Sequence, residues 1–209
     1  MGIDIGYIAI VIIVILLSMT LHEAMHAFTS YWLGDNTAKN EGRLTLNPLK
    51  HIDPVLTIGL PVVLAILGAP IFGGAKPVPF NPFNVRWGEY GAALVGIAGP
   101  LTNLLLSFVF FGVLVLQGGE GFFGMFLQTA VVVNLGFFIF NMIPIPPLDG
   151  SRALYALAPD VVRRAMSAIE QYGIVLIFAL VMFGSQFFVT FIRETMTAIL
   201  SVYSAIFGV

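Results

Sequence analysis

Apolar residues in this chain come in long runs rather than in alternation. From Ile5 to Leu17 nearly every position is apolar, and the run continues past Ser18, His22, Glu23 and His26 to Leu33, where Gly34-Asp35-Asn36 supplies a helix stop. Residues 90–116, 122–143 and 172–191 form three further runs. Each is long enough to cross a hydrocarbon core of roughly 30 Å at about 1.5 Å per residue. Residues 55–72 are also apolar but are interrupted by Gly59-Leu60-Pro61 and Gly68-Ala69-Pro70, which fits either a crossing or a segment that enters and returns. Near the end, Arg193-Glu194 breaks the pattern before residues 199–209, which read equally as a surface-lying tail or a further span.

Composition supports a membrane protein. Of 209 residues, 58% are hydrophobic and only 10% charged, against the roughly 25% charged residues of a soluble globular domain. Mean hydropathy is +0.98. This length allows about five or six membrane segments, so the reading is one all-α polytopic membrane domain over residues 1–209, with a core at 1–155 and C-terminal helices at 160–209. The first run lacks the basic flank of a secretory signal and is too long for one, so it reads as a retained helix. There is no cysteine, which excludes thiolate metal sites and cysteine nucleophiles, and a net charge of −2 argues against nucleic-acid partners.

Charge sets the direction of the helices. Lys39, Arg43, Lys50, Lys76 and Arg86 lie between the first run and Tyr90, and Arg152, Arg163 and Arg164 follow the run that ends near Ile143, whereas residues 117–121 carry no cation. By the positive-inside rule the first helix runs inward, the second outward and the third inward again. Both ends of residues 55–72 are then cytoplasmic, which makes that stretch a re-entrant or surface element. Two segments on the same side, residues 42–48 and 76–82, read as edge strands or small β hairpins, the second because its prolines forbid a central strand.

Inside the first run, His22-Glu23-Ala24-Met25-His26 fits H-E-x-x-H. On a helix this spacing puts two imidazoles one turn apart on one face with a carboxylate beside them, the arrangement a zinc ion needs. Two histidines and a glutamate at apolar depth would cost several kcal/mol as mere packing residues, unless paired or metal-bound. A catalytic zinc takes three protein ligands and keeps a position open, so a third ligand is expected. His51 falls in a loop, and among the acids Asp149 stands out: it follows a membrane run through Pro144, Pro146 and Pro147, which break the helix on the inward side and turn a carboxylate back toward the core. Zn²⁺ with two neutral histidines and the Asp149 and Glu23 carboxylates sums to zero charge, which a low dielectric tolerates. In such a site Glu23 would take a proton from water and return it to the leaving amine. Asn103, an amide inside a run, either bonds to a neighbouring helix or meets a ligand, while Asn134 and Asn141 read as packing or cap residues.

With these residues in hand, the chain resembles the site-2 protease family of intramembrane zinc metalloproteases over at least residues 21–154. The likeness rests on His22-Glu23-x-x-His26, on Gly99-Pro100-x-x-Asn103, and on Asn141-x-x-Pro144 leading into Leu148-Asp149-Gly150. The resemblance implies His22, His26 and Asp149 as zinc ligands, Glu23 as the catalytic base, and for Asn103 a place near the active site that holds the substrate backbone. It also implies a membrane-protein substrate and a cell-membrane location with the site toward the cytoplasm. No PDZ-like or CBS-like region accompanies the core, so the gating or regulation such regions give the family is expected to be absent here or supplied by a separate regulatory protein. Two other functions compete: a metal-ion transporter, for which no second ligand set lines a path, and a non-catalytic membrane chaperone, for which Glu23 would be dispensable.

Overall fold

Residues 5–60, 63–64, 74–183 and 185–209 are described by a computed structural model of the protein, and among these residues there are helices and turns but no strand. Long apolar runs become helices because a backbone surrounded by lipid has to satisfy its own hydrogen bonds. Among the described residues three helices are long and apolar enough to cross a membrane: α1 (Ile5–Trp32), α3 (Glu89–Gln117) and α4 (Gly121–Asn141). A short α2 (Thr37–Asn40) follows α1. After α4 come α5 (Gly150–Leu157), α6 (Asp160–Glu170), α7 (Gly173–Phe183) and α8 (Ser185–Phe207).

Helix α3 is the hub, in contact with α1, α4 and α5. Its buried face runs through Ala92, Val95, Gly96, Gly99, Pro100, Asn103 and Ser107, a helical spacing of mostly small residues that lets neighbouring backbones approach. The helix continues through Pro100, which has no N–H to offer the Gly96 carbonyl one turn back.

The C-terminal region differs from the expected pattern. The apolar run 172–191 is divided between α7, which ends at Phe183, and α8, which begins at Ser185. Arg193-Glu194 does not interrupt α8, because both residues lie on its exposed side. The opposite side presents Ile192, Met196, Ile199, Leu200 and Tyr203, which pack on Val131, Leu135 and Ile139 of α4. The Tyr203 hydroxyl meets Ser107 Oγ of α3 at 2.9 Å, so α8 lies along the bundle and is anchored to it by a polar contact.

The expected hairpins at residues 42–48 and 76–82 are not formed as strands. Pro77, Pro79 and Pro82 remove three N–H donors, and the N–H groups of Lys76, Val78 and Asn81 go to other partners. Lys76 N donates to the His51 carbonyl (2.9 Å), Val78 N to Glu23 Oε2 (2.9 Å) and Asn81 N to Asp35 Oδ2 (2.8 Å). Arg43 Nη2 donates to the Lys76 carbonyl at 2.5 Å. The segment is therefore a strap across the C-terminal end of α1 rather than a ladder. Most of the proposed re-entrant stretch 55–72 lies outside the described residues. At its margins Gly74 N donates to the Leu56 carbonyl (3.1 Å) and Thr57 Oγ1 to the Gly74 carbonyl (2.6 Å), so the chain leaves and rejoins at one place.

The strap is clasped to the end of α1 by Asp35, which is fully buried. Its Oδ1 accepts from Thr37 N (3.1 Å), Thr37 Oγ1 (2.6 Å) and Asn84 Nδ2 (3.3 Å), while Oδ2 accepts from Asn81 N. Burial would raise the carboxyl, but these bonds to the ionised form prevail and hold it below its ordinary value. A depressed carboxyl contributes stability that is present above the unfolded-state pKa and lost as pH falls through the folded one. Thermal unfolding in detergent should therefore show the wild type losing stability on acidification below about pH 4. Asp35→Asn should cost about 1–3 kcal/mol at neutral pH and flatten that acid limb. An unchanged acid limb in Asp35→Asn would contradict this role for the clasp.

Candidate metal centre

The C-terminal half of α1 carries His22 and His26, one turn apart and both buried. Their rings stand edge to face with centroids 4.7 Å apart. Asp149 arrives from the other side, at the residue preceding α5. Its Oδ2 lies 3.0 Å from His22 Nε2 and 3.4 Å from His26 Nε2, and the two Nε2 atoms are 3.1 Å apart. Asp149 is placed by the break after α4. Three prolines end helical pairing there, and the following glycine, Gly150, sits so close to the Met142 carbonyl that a Cβ would lie 2.4 Å from it.

The other ring nitrogens decide what these converging atoms are. His26 Nδ1 is 2.7 Å from the Val95 carbonyl, which only accepts, so Nδ1 carries the proton and donates. His22 Nδ1 is 2.6 Å from Asn103 Oδ1 and donates in the same way. In the neutral imidazoles both Nε2 atoms are then bare lone pairs, pointed at each other and at a carboxylate oxygen. Three electron-rich atoms face one another with no donor of their own among them. That donor set, two imidazoles and one carboxylate, fits a zinc ion with a position left open. His22, His26 and Asp149 form the one group of three or more such side chains found among the described residues.

Glu23 is half-buried beside the trio on α1, with Oε2 held by Val78 N–H of the strap. Asn103 is fully buried behind His22, and its amide is occupied by His22, Asn134 and Ser18. It lies behind the imidazole rather than on an open surface. His51 is also fully buried but apart from the trio, with Nε2 on the Thr45 carbonyl at 2.9 Å. Asn141 bonds to the Phe137 carbonyl of its own helix at 3.0 Å.

Sequence reading named Gly99 and Asn103 as parts of a motif without the room the one leaves or the ring the other orients, and it missed Gly96 and Val95 altogether. A Cβ at Gly99 would stand 2.4 Å from His26 Nε2 and 2.7 Å from His22 Nε2, so the absence of a side chain there is what admits the imidazole pair. Gly96 likewise admits α5, since a Cβ there would meet Arg152 Cβ at 2.8 Å and the Asp149 carbonyl at 3.2 Å. The spacing of Gly96 and Gly99 on one helical face is the sequence signal for this approach. The Val95 carbonyl, as backbone, leaves no signal in sequence.

Fold and site together define an integral membrane protein with a buried centre of two histidines and a carboxylate. The sequence profile of peptidase family M50 matches residues 119–185. The Putative zinc metalloprotease YwhC of Bacillus subtilis (strain 168) is 38% identical over 207 residues, covering 94% of this chain and 91% of that protein. The Putative zinc metalloprotease Rip2 of Mycolicibacterium smegmatis is 35% identical over 188 residues, covering 84% of this chain and 68% of that protein. The Putative zinc metalloprotease MJ0611 of Methanocaldococcus jannaschii is 42% identical over 66 residues, 29% of this chain and 31% of that protein. No solved structure matches the chain. The chain belongs to peptidase family M50, the site-2 protease family, and is a zinc metallopeptidase by class.

The space at Gly99 can be tested directly. Gly99→Ala should lower zinc affinity by at least about tenfold, the size of effect seen when imidazole placement is disturbed. Gly136→Ala, where a Cβ meets nothing within 4 Å, should leave it unchanged. Chelator competition measures both. Wild-type affinity in Gly99→Ala would mean that the imidazoles do not depend on this gap.

Proposed function

We propose that this protein hydrolyses a peptide bond within or beside a transmembrane helix of another membrane protein, with His22, His26 and Asp149 holding zinc and Glu23 acting as general base. The observation that carries the reading is the convergence of three bare donor atoms on one point at membrane depth, with a carboxylate on the adjacent residue of the same helix. Zinc held there would supply Lewis-acid chemistry, polarising the scissile carbonyl and acidifying water. The chain's own residues do the rest. With Oε2 of Glu23 fixed by the Val78 N–H, the other carboxylate oxygen is free to accept a proton from water and pass it to the leaving nitrogen.

A substrate helix hides its peptide bonds and has to unwind to be cut, leaving backbone groups that lipid cannot satisfy. The strap over residues 76–82 is the better candidate to receive it by strand addition, because it runs past Glu23. Residues 42–48 sit behind it, with Arg43 holding the Lys76 carbonyl. His22 lies ten residues before the end of α1, roughly 15 Å along the axis. With the cations gathered at that end, the site opens toward the cytoplasm of a cell membrane. The partners are the bilayer, a membrane-protein substrate and a separate regulatory protein.

The deciding experiment compares zinc content and cleavage of a panel of single-span membrane proteins by the intact chain, Glu23→Gln and Asp149→Ala. Zinc should be present at about one per chain, retained in Glu23→Gln and weakened in Asp149→Ala. Cleavage should fall by about 10²–10⁴-fold in Glu23→Gln. Wild-type cleavage by Glu23→Gln, or an absence of zinc from the intact chain, would overturn the reading.

A further inference from the structure

Behind His22 lies a chain of buried amides that belongs to no ligand set. Asn103 of α3 and Asn134 of α4 are both fully buried, and Ser18 of α1 is nearly so. Asn103 Nδ2 donates to Asn134 Oδ1 at 2.8 Å and, more weakly, to the Ser18 carbonyl at 3.4 Å. Asn134 Nδ2 donates to the Ala130 carbonyl at 2.8 Å and to Ser18 Oγ at 2.9 Å. Every polar atom of the two amide groups therefore has a partner inside the protein.

An amide group is nearly symmetric in shape, so something other than packing has to decide which end is oxygen. Here backbone carbonyls decide. The Ala130 carbonyl only accepts, which requires the NH₂ of Asn134 to face it and turns Asn134 Oδ1 toward Asn103. That oxygen only accepts in its turn, so Asn103 must present its own NH₂ there and its Oδ1 to His22. Asn103 Oδ1 then obliges His22 Nδ1 to carry the proton, which leaves the Nε2 lone pair facing His26 and Asp149. A reversed Asn103 would set its NH₂ against Nδ1, move the proton to Nε2 and remove one donor atom from the trio.

We propose that Asn134 is a positioning residue that fixes the tautomer of His22 through Asn103, so that a main-chain carbonyl of α4 sets the donor character of an α1 ligand. The inference rests on the zinc-site reading above. It gives Asn134 a role that a packing or cap residue lacks, and it places Asn103 with the metal ligands rather than with the substrate. The link spans three helices, and each joint is a hydrogen bond of 2.6–2.8 Å between buried groups.

The test measures zinc affinity by chelator competition on the full-length protein in detergent, together with the visible absorption of the cobalt(II)-substituted site, which reports ligand number and geometry. Asn103→Leu should weaken zinc by about 10–100-fold, as loss of the group behind a ligating histidine does. Asn134→Leu should weaken it by several-fold to about tenfold and shift the cobalt spectrum in the same direction. Asn134→Ala serves the same purpose without added bulk. Asn134→Asp keeps an acceptor toward Asn103 in either protonation state and should restore affinity to within about threefold of wild type. In the Asn103→Leu background, Asn134→Leu should add nothing, because its effect passes through Asn103. Ser107→Ala removes another fully buried polar group of α3 and should leave affinity and spectrum unchanged. Unchanged zinc affinity and cobalt spectrum in folded Asn134→Leu and Asn134→Ala would overturn the proposal. So would equal losses with and without Asn103, which would mark Asn134 as a packing residue. A wild-type protein that takes up neither zinc nor cobalt would instead overturn the zinc-site reading, and this inference with it.

Discussion

Polar groups on α1 are held at a depth where lipid offers no hydrogen-bond partners, so each has to be satisfied by protein. His22, His26 and Ser18 meet this demand from α3 and α4, and Glu23 from the strap. The arrangement of the helices follows from it. α3 is central because it alone supplies both acceptors behind the histidines, the Val95 carbonyl and Asn103, while its glycines leave the space in front. α5 has to begin where it does because the residue just before it, Asp149, brings the carboxylate to that space.

Two kinds of rigidity support the site. On the lipid side, α1, α3 and α4 are locked by small residues and buried amides, which allow close approach with every polar atom paired. On the aqueous side, the strap is held by charge and by donors that prolines have left few in number: Asp35 at one end, Arg43 and the His51 carbonyl at the other, and Glu23 in the middle. The imidazoles and the Glu23 carboxylate are thus steadied by different parts of the chain. α1 carries both, the bundle orients the imidazoles, and the strap orients the carboxylate.

Much of this was readable from sequence because it is local. Long apolar runs specify helices, and H-E-x-x-H specifies two imidazoles on one face whatever surrounds them. Asp149 could be singled out because prolines mark the only place where a membrane run is broken just before an acid. What could not be read depends on contacts between distant elements. Alternation at residues 42–48 and the prolines at 76–82 suggested hairpins, yet the donors of the second segment were taken by Glu23, Asp35 and His51. Gly96 and Gly99 gave a pattern of small residues, but not the α5 backbone that the first admits or the imidazoles that the second admits. Asn134 looked like any buried amide, since its meaning lies in which end faces Asn103. Arg193-Glu194 looked like a break, whereas on a helix with one packed side two adjacent charges need only the other side.

The gap at Gly99 also fixes the register of the bundle. A slip of α1 against α3 by a single residue would shift the two helices by about 1.5 Å and turn them by about 100°, bringing a side chain into the space where the imidazoles now stand. The donor trio therefore exists in only one alignment of these helices. It is also assembled late, because the two histidines emerge early in synthesis whereas the carboxylate follows 127 residues after His22. A nascent chain accordingly carries an incomplete donor set until α4 has been made and its proline-rich end has turned, so the chain acquires its chemistry only when nearly all of its membrane core is in place.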